Sequence, residues 1–135
     1  MHDPTSINIW DVSNGTSVLT LSGHATSWLS AMSWSPDGSK IATAGWDSIA
    51  KIWDASIGTV IDTLIGHTSW LYDVNWSPDG SKIATAGGDS TVRIWDARTG
   101  KSIHVLHGHT HAWVYKVSWS PDGSKVASAC EDSTA

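Results

Sequence analysis

Three histidines are each followed, at nearly the same interval, by a hydroxyl and a carboxylate. The sets are His24, Thr43 and Asp47; His67, Thr85 and Asp89; and His109, Ser128 and Asp132. Imidazole, hydroxyl and carboxylate are the groups of a nucleophilic triad, in which the base takes the hydroxyl proton and the acid orients the base. Recurrence argues against that chemistry. A catalytic triad belongs to one shaped site, whereas these sets return with the whole surrounding sequence. A second group, His104, His107, His109 and His111, crowds one segment and could offer imidazole to a metal. His109 already belongs to its recurring set, and without companion Cys or Glu at ligand spacing the others read as surface histidines. The expectation is no enzyme, no metal ligand and no cofactor.

The elements that carry these residues repeat every 42 to 43 positions. Trp10-Asp11, Trp53-Asp54 and Trp95-Asp96 recur. So do Gly23-His24, Gly66-His67 and Gly108-His109, and the turns Ser35-Pro36-Asp37-Gly38, Ser77-Pro78-Asp79-Gly80 and Ser120-Pro121-Asp122-Gly123. A period of this length marks a repeat architecture in which no single unit buries its own apolar face. Within the copy Trp70 to His109, four β-rich runs are separated by turn signals. The runs are Trp70 to Trp76, Lys82 to Ala86, Thr91 to Trp95 and Ser102 to Leu106. Pro-Asp-Gly presets the first turn, and the third run alternates with the period of two that a strand requires. No stretch carries a helical period, so the chain reads as all-β.

Composition narrows the function. The formal charge is −5, from 13 acids against 8 Lys and Arg. Nine of the 13 acids recur in register, as Asp11, Asp54, Asp96, Asp37, Asp79, Asp122, Asp47, Asp89 and Asp132, which marks turn and framework residues. The few basic residues form no stripe, so neither nucleic acid nor an anionic membrane surface is an expected partner. No apolar run has the length of a membrane span and no export signal opens the chain, which implies a cytoplasmic protein. The single cysteine, Cys130, occupies the place of Gly45 and Gly87 and reads as a small buried thiol. Ten Trp and two Tyr with no Phe is a biased aromatic set.

Gly-His, Ser-Pro-Asp-Gly, an Asp turn and Trp-Asp, across four strands per repeat, resemble the WD-repeat β-propeller family from Ile7 to Thr134. The near-identical copies resemble the bacterial type with recently duplicated repeats, or an engineered propeller fragment. The resemblance implies a hydrogen-bonded network inside each blade. Its members would be His24, Thr43, Asp47 and Trp53; His67, Thr85, Asp89 and Trp95; and His109, Ser128 and Asp132, whose tryptophan is Trp10 at the other end of the chain. A buried network of this kind, fully satisfied, fixes one arrangement of strands.

The chain therefore reads as one propeller segment, 1–135, of three four-stranded antiparallel blades, one of them split. Residues 7–24 form its outer strands and 110–135 its inner strands; 25–67 and 68–109 are complete blades. Three blades are too few for a closed ring. The expected solution is a homo-oligomer in which the N-terminal half of one chain meets the C-terminal half of the next, head to tail. The bulky Trp34, Trp76 and Trp119 ending the innermost strands favour a nine-blade homotrimer over a six-blade dimer.

The remaining aromatic residues suggest a binding face. Trp28, Trp70 and Trp113 follow the Gly-His turns. Ser30, Tyr72 and Tyr115 lie two residues on, and Trp46, Gly88 and Glu131 precede the turn aspartates. In the family these positions face the top surface and often contact partner proteins, and Trp and Tyr anchor interfaces. The same residues could instead cap the blade cores. The leading function is a non-catalytic, self-assembling protein-interaction scaffold. The alternative is a purely structural, designed or excised module with no cognate partner.

Overall fold

The computed structural model describes residues 5–24 and 28–131. They form twelve β-strands, all antiparallel. The first two, β1 (Ser6–Asp11) and β2 (Thr16–Ser22), make a two-stranded sheet. Four strands follow in one sheet: β3 (Leu29–Trp34), β4 (Lys40–Gly45), β5 (Ala50–Asp54) and β6 (Val60–Leu64). A second sheet of four contains β7 (Leu71–Trp76), β8 (Lys82–Gly87), β9 (Thr91–Asp96) and β10 (Ser102–His107). The last pair is β11 (Val114–Trp119) with β12 (Val126–Cys130). The four runs expected between Trp70 and His109 are all strands, with ends shifted by one residue.

The turns explain the strand boundaries. In Ser35-Pro36-Asp37-Gly38, proline fixes the second position and Gly38 takes a φ of 74°, a left-handed value that glycine adopts without strain. The Gly38 N–H donates to the Ser35 carbonyl at 2.9 Å. Asp37 Oδ1 accepts from the Ser35 and Ser39 hydroxyls and from the Ser39 N–H. Asp79 and Asp122 repeat the same pattern. The Asp of each Trp-Asp pair closes a different turn. Asp54 Oδ1 accepts the Ser56 N–H at 2.8 Å, and Asp96 Oδ1 accepts those of Arg98 and Thr99. The recurring acids thus serve the framework, and the negative formal charge is dispersed among turns.

The two four-stranded sheets pack both faces against neighbours and the two-stranded pairs pack one, with alternate residues of a strand pointing to opposite sides. Ile41 and Trp53 pack toward Ile7 and Leu21 of β1 and β2. Ala42, Ala44 and Ile52 point the other way, into a core with Leu71, Val74, Trp76, Ile83 and Trp95. Ala84, Ala86, Val92 and Ile94 meet Val114 and Val117 of β11. Burying a Val, Leu or Ile contributes about 1.5–3 kcal/mol, so the interfaces between sheets carry the stability. Cys130 departs from the sequence expectation. It is half-buried, because among the described residues β12 has only β11 beside it.

Hydrogen bonds between sheets add specificity where innermost strands meet. The Asp73 carboxylate accepts the Val117 N–H at 3.0 Å. Asn75 Nδ2–H donates to the Val117 carbonyl at 2.8 Å, and Trp119 Nε1–H returns to the Asn75 carbonyl at 3.1 Å.

Candidate functional site

Two of the three His-centred sets assemble into continuous chains of hydrogen bonds. Trp95 Nε1–H donates to Thr85 Oγ1 at 2.8 Å, and Thr85 lies 2.7 Å from His67 Nε2. His67 Nδ1 is 2.8 Å from Asp89 Oδ2. An indole nitrogen can only donate and a hydroxyl carries one proton. Every atom is satisfied when Thr85 donates to Nε2 and Nδ1–H donates to Asp89. The complete sheet β3–β6 repeats this with Trp53, Thr43, His24 and Asp47, at 2.9, 2.8 and 2.9 Å. Thr43 and Thr85 are fully buried, which leaves no room for a substrate at the hydroxyl. A triad-like set of residues thus works as an internal brace, joining the Gly-His turn to the sheet.

Burial pushes the Asp89 carboxyl upward, but hydrogen bonds from His67, Thr91 and the Thr68 N–H outweigh it and hold it well below the usual carboxylate range. The turn aspartates Asp37, Asp79 and Asp122 are held at about 2 by their serine hydroxyl and N–H donors. A folded-state value below the unfolded one means the unfolded chain binds more protons as pH falls. The stabilisation is present above about pH 4, the ordinary Asp value, and drains away as pH drops toward about 2. Urea midpoints at pH 5 and pH 2.5 check this, and Asp79→Asn should shrink the difference between them.

The third set is only partly gathered. His109 Nε2 lies 2.8 Å from the Ser128 hydroxyl. Asp132 lies outside the described residues. Trp10 sits on β1, in a different sheet from β12, and is 57 % exposed, where Trp53 and Trp95 are 2 % and 1 % exposed.

The aromatic positions converge at the end of the sheets that carries the Gly-His turns. Trp46 lies sandwiched between Trp28 and Trp70, with ring centroids at 5.4 and 4.6 Å and nearly parallel planes. Trp28 and Trp70 remain substantially exposed. Next to them Tyr72 meets Trp113 at 6.1 Å and Tyr115 at 5.0 Å, and the Tyr115 hydroxyl donates to Glu131 at 2.8 Å. That bond raises the Tyr115 hydroxyl to about 12. Ser30 is exposed and its hydroxyl donates to the Leu71 carbonyl at 2.6 Å, linking two sheets. Gly88 lies beside Ser69 and Tyr72.

Sequence reasoning did not find the device that aims these side chains. Each innermost strand carries a bulge: the register shifts between Leu29 and Ala31, between Leu71 and Asp73, and between Val114 and Lys116. The extra residues are Ser30, Tyr72 and Tyr115. A bulge re-aims a side chain out of the simple alternation. Repetition of the same offset in all three copies was the only signal available for it. Asp73 and Asn75 were also missed, because they do not repeat.

The four-stranded antiparallel sheets, packed face to face with a His–Thr–Trp brace in each, define a bladed repeat protein of the propeller class. The family model for the WD domain, G-beta repeat, matches residues 15–54, 58–96 and 100–135, and the chain belongs to the WD40 family. It is 42 % identical over 64 residues to the nuclear distribution protein PAC1 of Arthroderma otae, covering 46 % of this chain and 14 % of that protein. It is 38 % identical over 52 residues to a guanine nucleotide-binding protein subunit beta of Dictyostelium discoideum, covering 38 % of this chain and 15 % of that one. It is 39 % identical over 61 residues to ribosome assembly protein 4 of Chaetomium thermophilum, covering 44 % and 12 %. The chain therefore aligns with about an eighth to a seventh of the length of these relatives.

Among the described residues no group of three or more His, Cys, Asp or Glu is placed to hold a metal, and no helix is long and apolar enough to cross a membrane.

Proposed function

We propose that this chain is a non-catalytic protein-interaction scaffold that binds a protein or peptide through its aromatic end, in a cytoplasmic ring closed by copies of itself. The observation that carries the binding reading is the Trp28–Trp46–Trp70 stack continued by Tyr72, Trp113 and Tyr115. Rigid aromatic side chains, half-exposed and adjoining, are the composition of interface hot spots. The relatives' names speak of a protein subunit and of assembly, which fits a scaffold. The ring reading draws on the two half-sheets at opposite flanks of the complete ones. The bulky Trp34, Trp76 and Trp119 that end β3, β7 and β11 favour a wide, nine-blade trimer, with a six-blade dimer the alternative.

A random-peptide display selection on the purified chain tests the binding face. Enriched peptides should lose at least about 30-fold in affinity to Trp46→Ala, the loss of about 2 kcal/mol that defines a hot spot. Circular dichroism verifies that the variant is folded. Peptides that bind wild type and Trp46→Ala equally well would place recognition elsewhere.

A further inference from the structure

A groove runs between the two complete sheets at the end of the strands away from the Gly-His turns. It holds about 510 Å³, within the ~300–1,000 Å³ common for ligand sites. One wall comes from the β3–β6 sheet, through Lys40 at the start of β4 and Ile61 on β6. The other comes from the β7–β10 sheet, through Trp76 at the end of β7 and Asp96, Ala97 and Arg98 at the turn between β9 and β10. Neither two-stranded pair contributes a lining residue. Most of the lining is apolar. The exposed Ile61 side chain, with Trp76 and Ala97, offers a surface on which an aliphatic side chain would shed water.

Two cations frame that surface, one from each sheet. Lys40 and Arg98 form no salt bridge among the described residues. The carboxylates around them are committed to their own turns. Asp54, which faces Lys40 across β4 and β5, accepts the Ser56 N–H and hydroxyl. Asp96 accepts the Arg98 and Thr99 N–H groups. Asp37, beside Lys40 in the adjoining cleft, accepts from Ser35 and Ser39. Arg98 also breaks the repeat: the matching residues are Ser13 and Ser56, whereas Lys40 recurs as Lys82 and Lys125. Binding residues concentrate on such turns when a rigid scaffold positions them. Trp76 adds a donor. Its indole N–H is buried with no acceptor among the described residues, whereas that of Trp119 reaches the Asn75 carbonyl. Buried donors are ordinarily paired, so an acceptor brought by an occupant would complete the site.

We propose that this groove binds an acidic peptide segment, with one aliphatic side chain seated between Ile61 and Trp76 and a carboxylate on each side of it meeting Lys40 and Arg98. The occupant follows from charge complementarity. An apolar floor between two unpaired cations matches an aliphatic residue flanked by acids, and a cationic segment would set like charges together. The groove is distinct from the aromatic end, and the proposal depends neither on that reading nor on closure of a ring by copies. Because the chain as a whole carries a formal charge of −5, the two cations act locally, and affinity should fall as salt rises.

Fluorescence anisotropy with three blocked, labelled heptapeptides tests this: a leucine between glutamates, the same leucine between lysines, and an alanine between glutamates. The first should bind the purified chain, and the other two should bind at least about tenfold more weakly. Arg98→Glu and Ile61→Glu should each weaken the first peptide at least about tenfold. Both residues are exposed, so each variant should keep the circular dichroism of the wild type. Ser13→Glu, which puts the same charge at the matching turn between β1 and β2, should bind as the wild type does. In heteronuclear NMR spectra the first peptide should move the Trp76 indole N–H signal, assigned by its loss in Trp76→Phe. Absence of binding, equal binding of the glutamate and lysine peptides, or binding that ignores Arg98→Glu and Ile61→Glu overturns the proposal. So does a peptide that shifts the indole signals of Trp28, Trp46 and Trp70 and leaves that of Trp76 in place, which would put the acidic ligand at the aromatic end. Self-association that Ile61→Glu abolishes, without peptide binding, would make a second copy the occupant and overturn it equally.

Discussion

Thr85→Val should lower the unfolding free energy by about 2–6 kcal/mol, while Thr85→Ser costs about 1 kcal/mol. Valine nearly reproduces the shape of threonine, so the comparison isolates the hydroxyl. Thr85 is fully buried and its oxygen serves two partners, the Trp95 indole N–H and His67 Nε2. Removing it strands both, and each buried polar group left without a partner costs about 1–3 kcal/mol. Serine keeps the hydroxyl and loses one methyl group, worth about 0.8 kcal/mol of burial. The third repeat carries serine at this place, as Ser128 beside His109. Urea denaturation of the two variants measures the difference. Equal stabilities would mean that the brace contributes packing alone and that its hydrogen bonds are energetically neutral. The expected order also bears on function. A brace in each complete sheet holds the Gly-His turn, and Trp70 stands three residues after His67, so loosening Thr85 should disturb the aromatic end as well as the core.

What could be read from the residues, and what could not, divides along repetition. Strands, turns and the brace recur in register, and each copy checks the others. His67, Thr85, Asp89 and Trp95 are far apart in sequence, yet their matched spacing with His24, Thr43, Asp47 and Trp53 marks them as one unit. The contacts between innermost strands have no such support. Asp73 corresponds to Ala31 and Lys116, so nothing along the chain shows that its carboxylate will accept the Val117 N–H in the neighbouring sheet. Such a bond depends on how one sheet is set against the next, and alternation along a strand does not encode that. The aromatic stack is similar. Trp46 corresponds to Gly88 and Glu131; its backbone N–H donates to the Trp28 carbonyl at 2.9 Å within one sheet, and Trp70 reaches it from the neighbouring sheet. The buried thiol expected at Cys130 fails for a related reason: its neighbours in β4 and β8 owe their burial to a strand that β12 does not have beside it within the described residues.

Gly87→Ala should destabilise the chain by about 2–4 kcal/mol, and the neighbouring Gly88→Ala by less than about 1 kcal/mol. A methyl group built at Gly87 would lie 2.7 Å from His67 Nδ1 and 3.0 Å from Asp89 Oδ1. The first distance is shorter than atoms tolerate and the second is tight, and neither neighbour is free to swing away. His67 is buried and held at both ring nitrogens. Overpacking typically costs about 1–3 kcal/mol, and the weakened His67–Asp89 bond adds about 1.5–3 kcal/mol as a hydrogen bond to a charged group. Replacing glycine by alanine in a strand returns about 0.5–1 kcal/mol of backbone entropy. At Gly88 the same methyl would meet the Ser69 hydroxyl at 2.9 Å, a short side chain that can rotate away. The β3–β6 sheet offers a replicate, because a methyl at Gly45 would lie 2.6 Å from Asp47 Oδ1 and 2.8 Å from His24 Nδ1. The third repeat has already made the substitution: Cys130 stands at this position, and His109 is half-buried where His24 and His67 are buried. Urea midpoints for Gly45→Ala, Gly87→Ala and Gly88→Ala settle the comparison. If all three fall together, the glycines serve backbone freedom and not the histidine–aspartate pair.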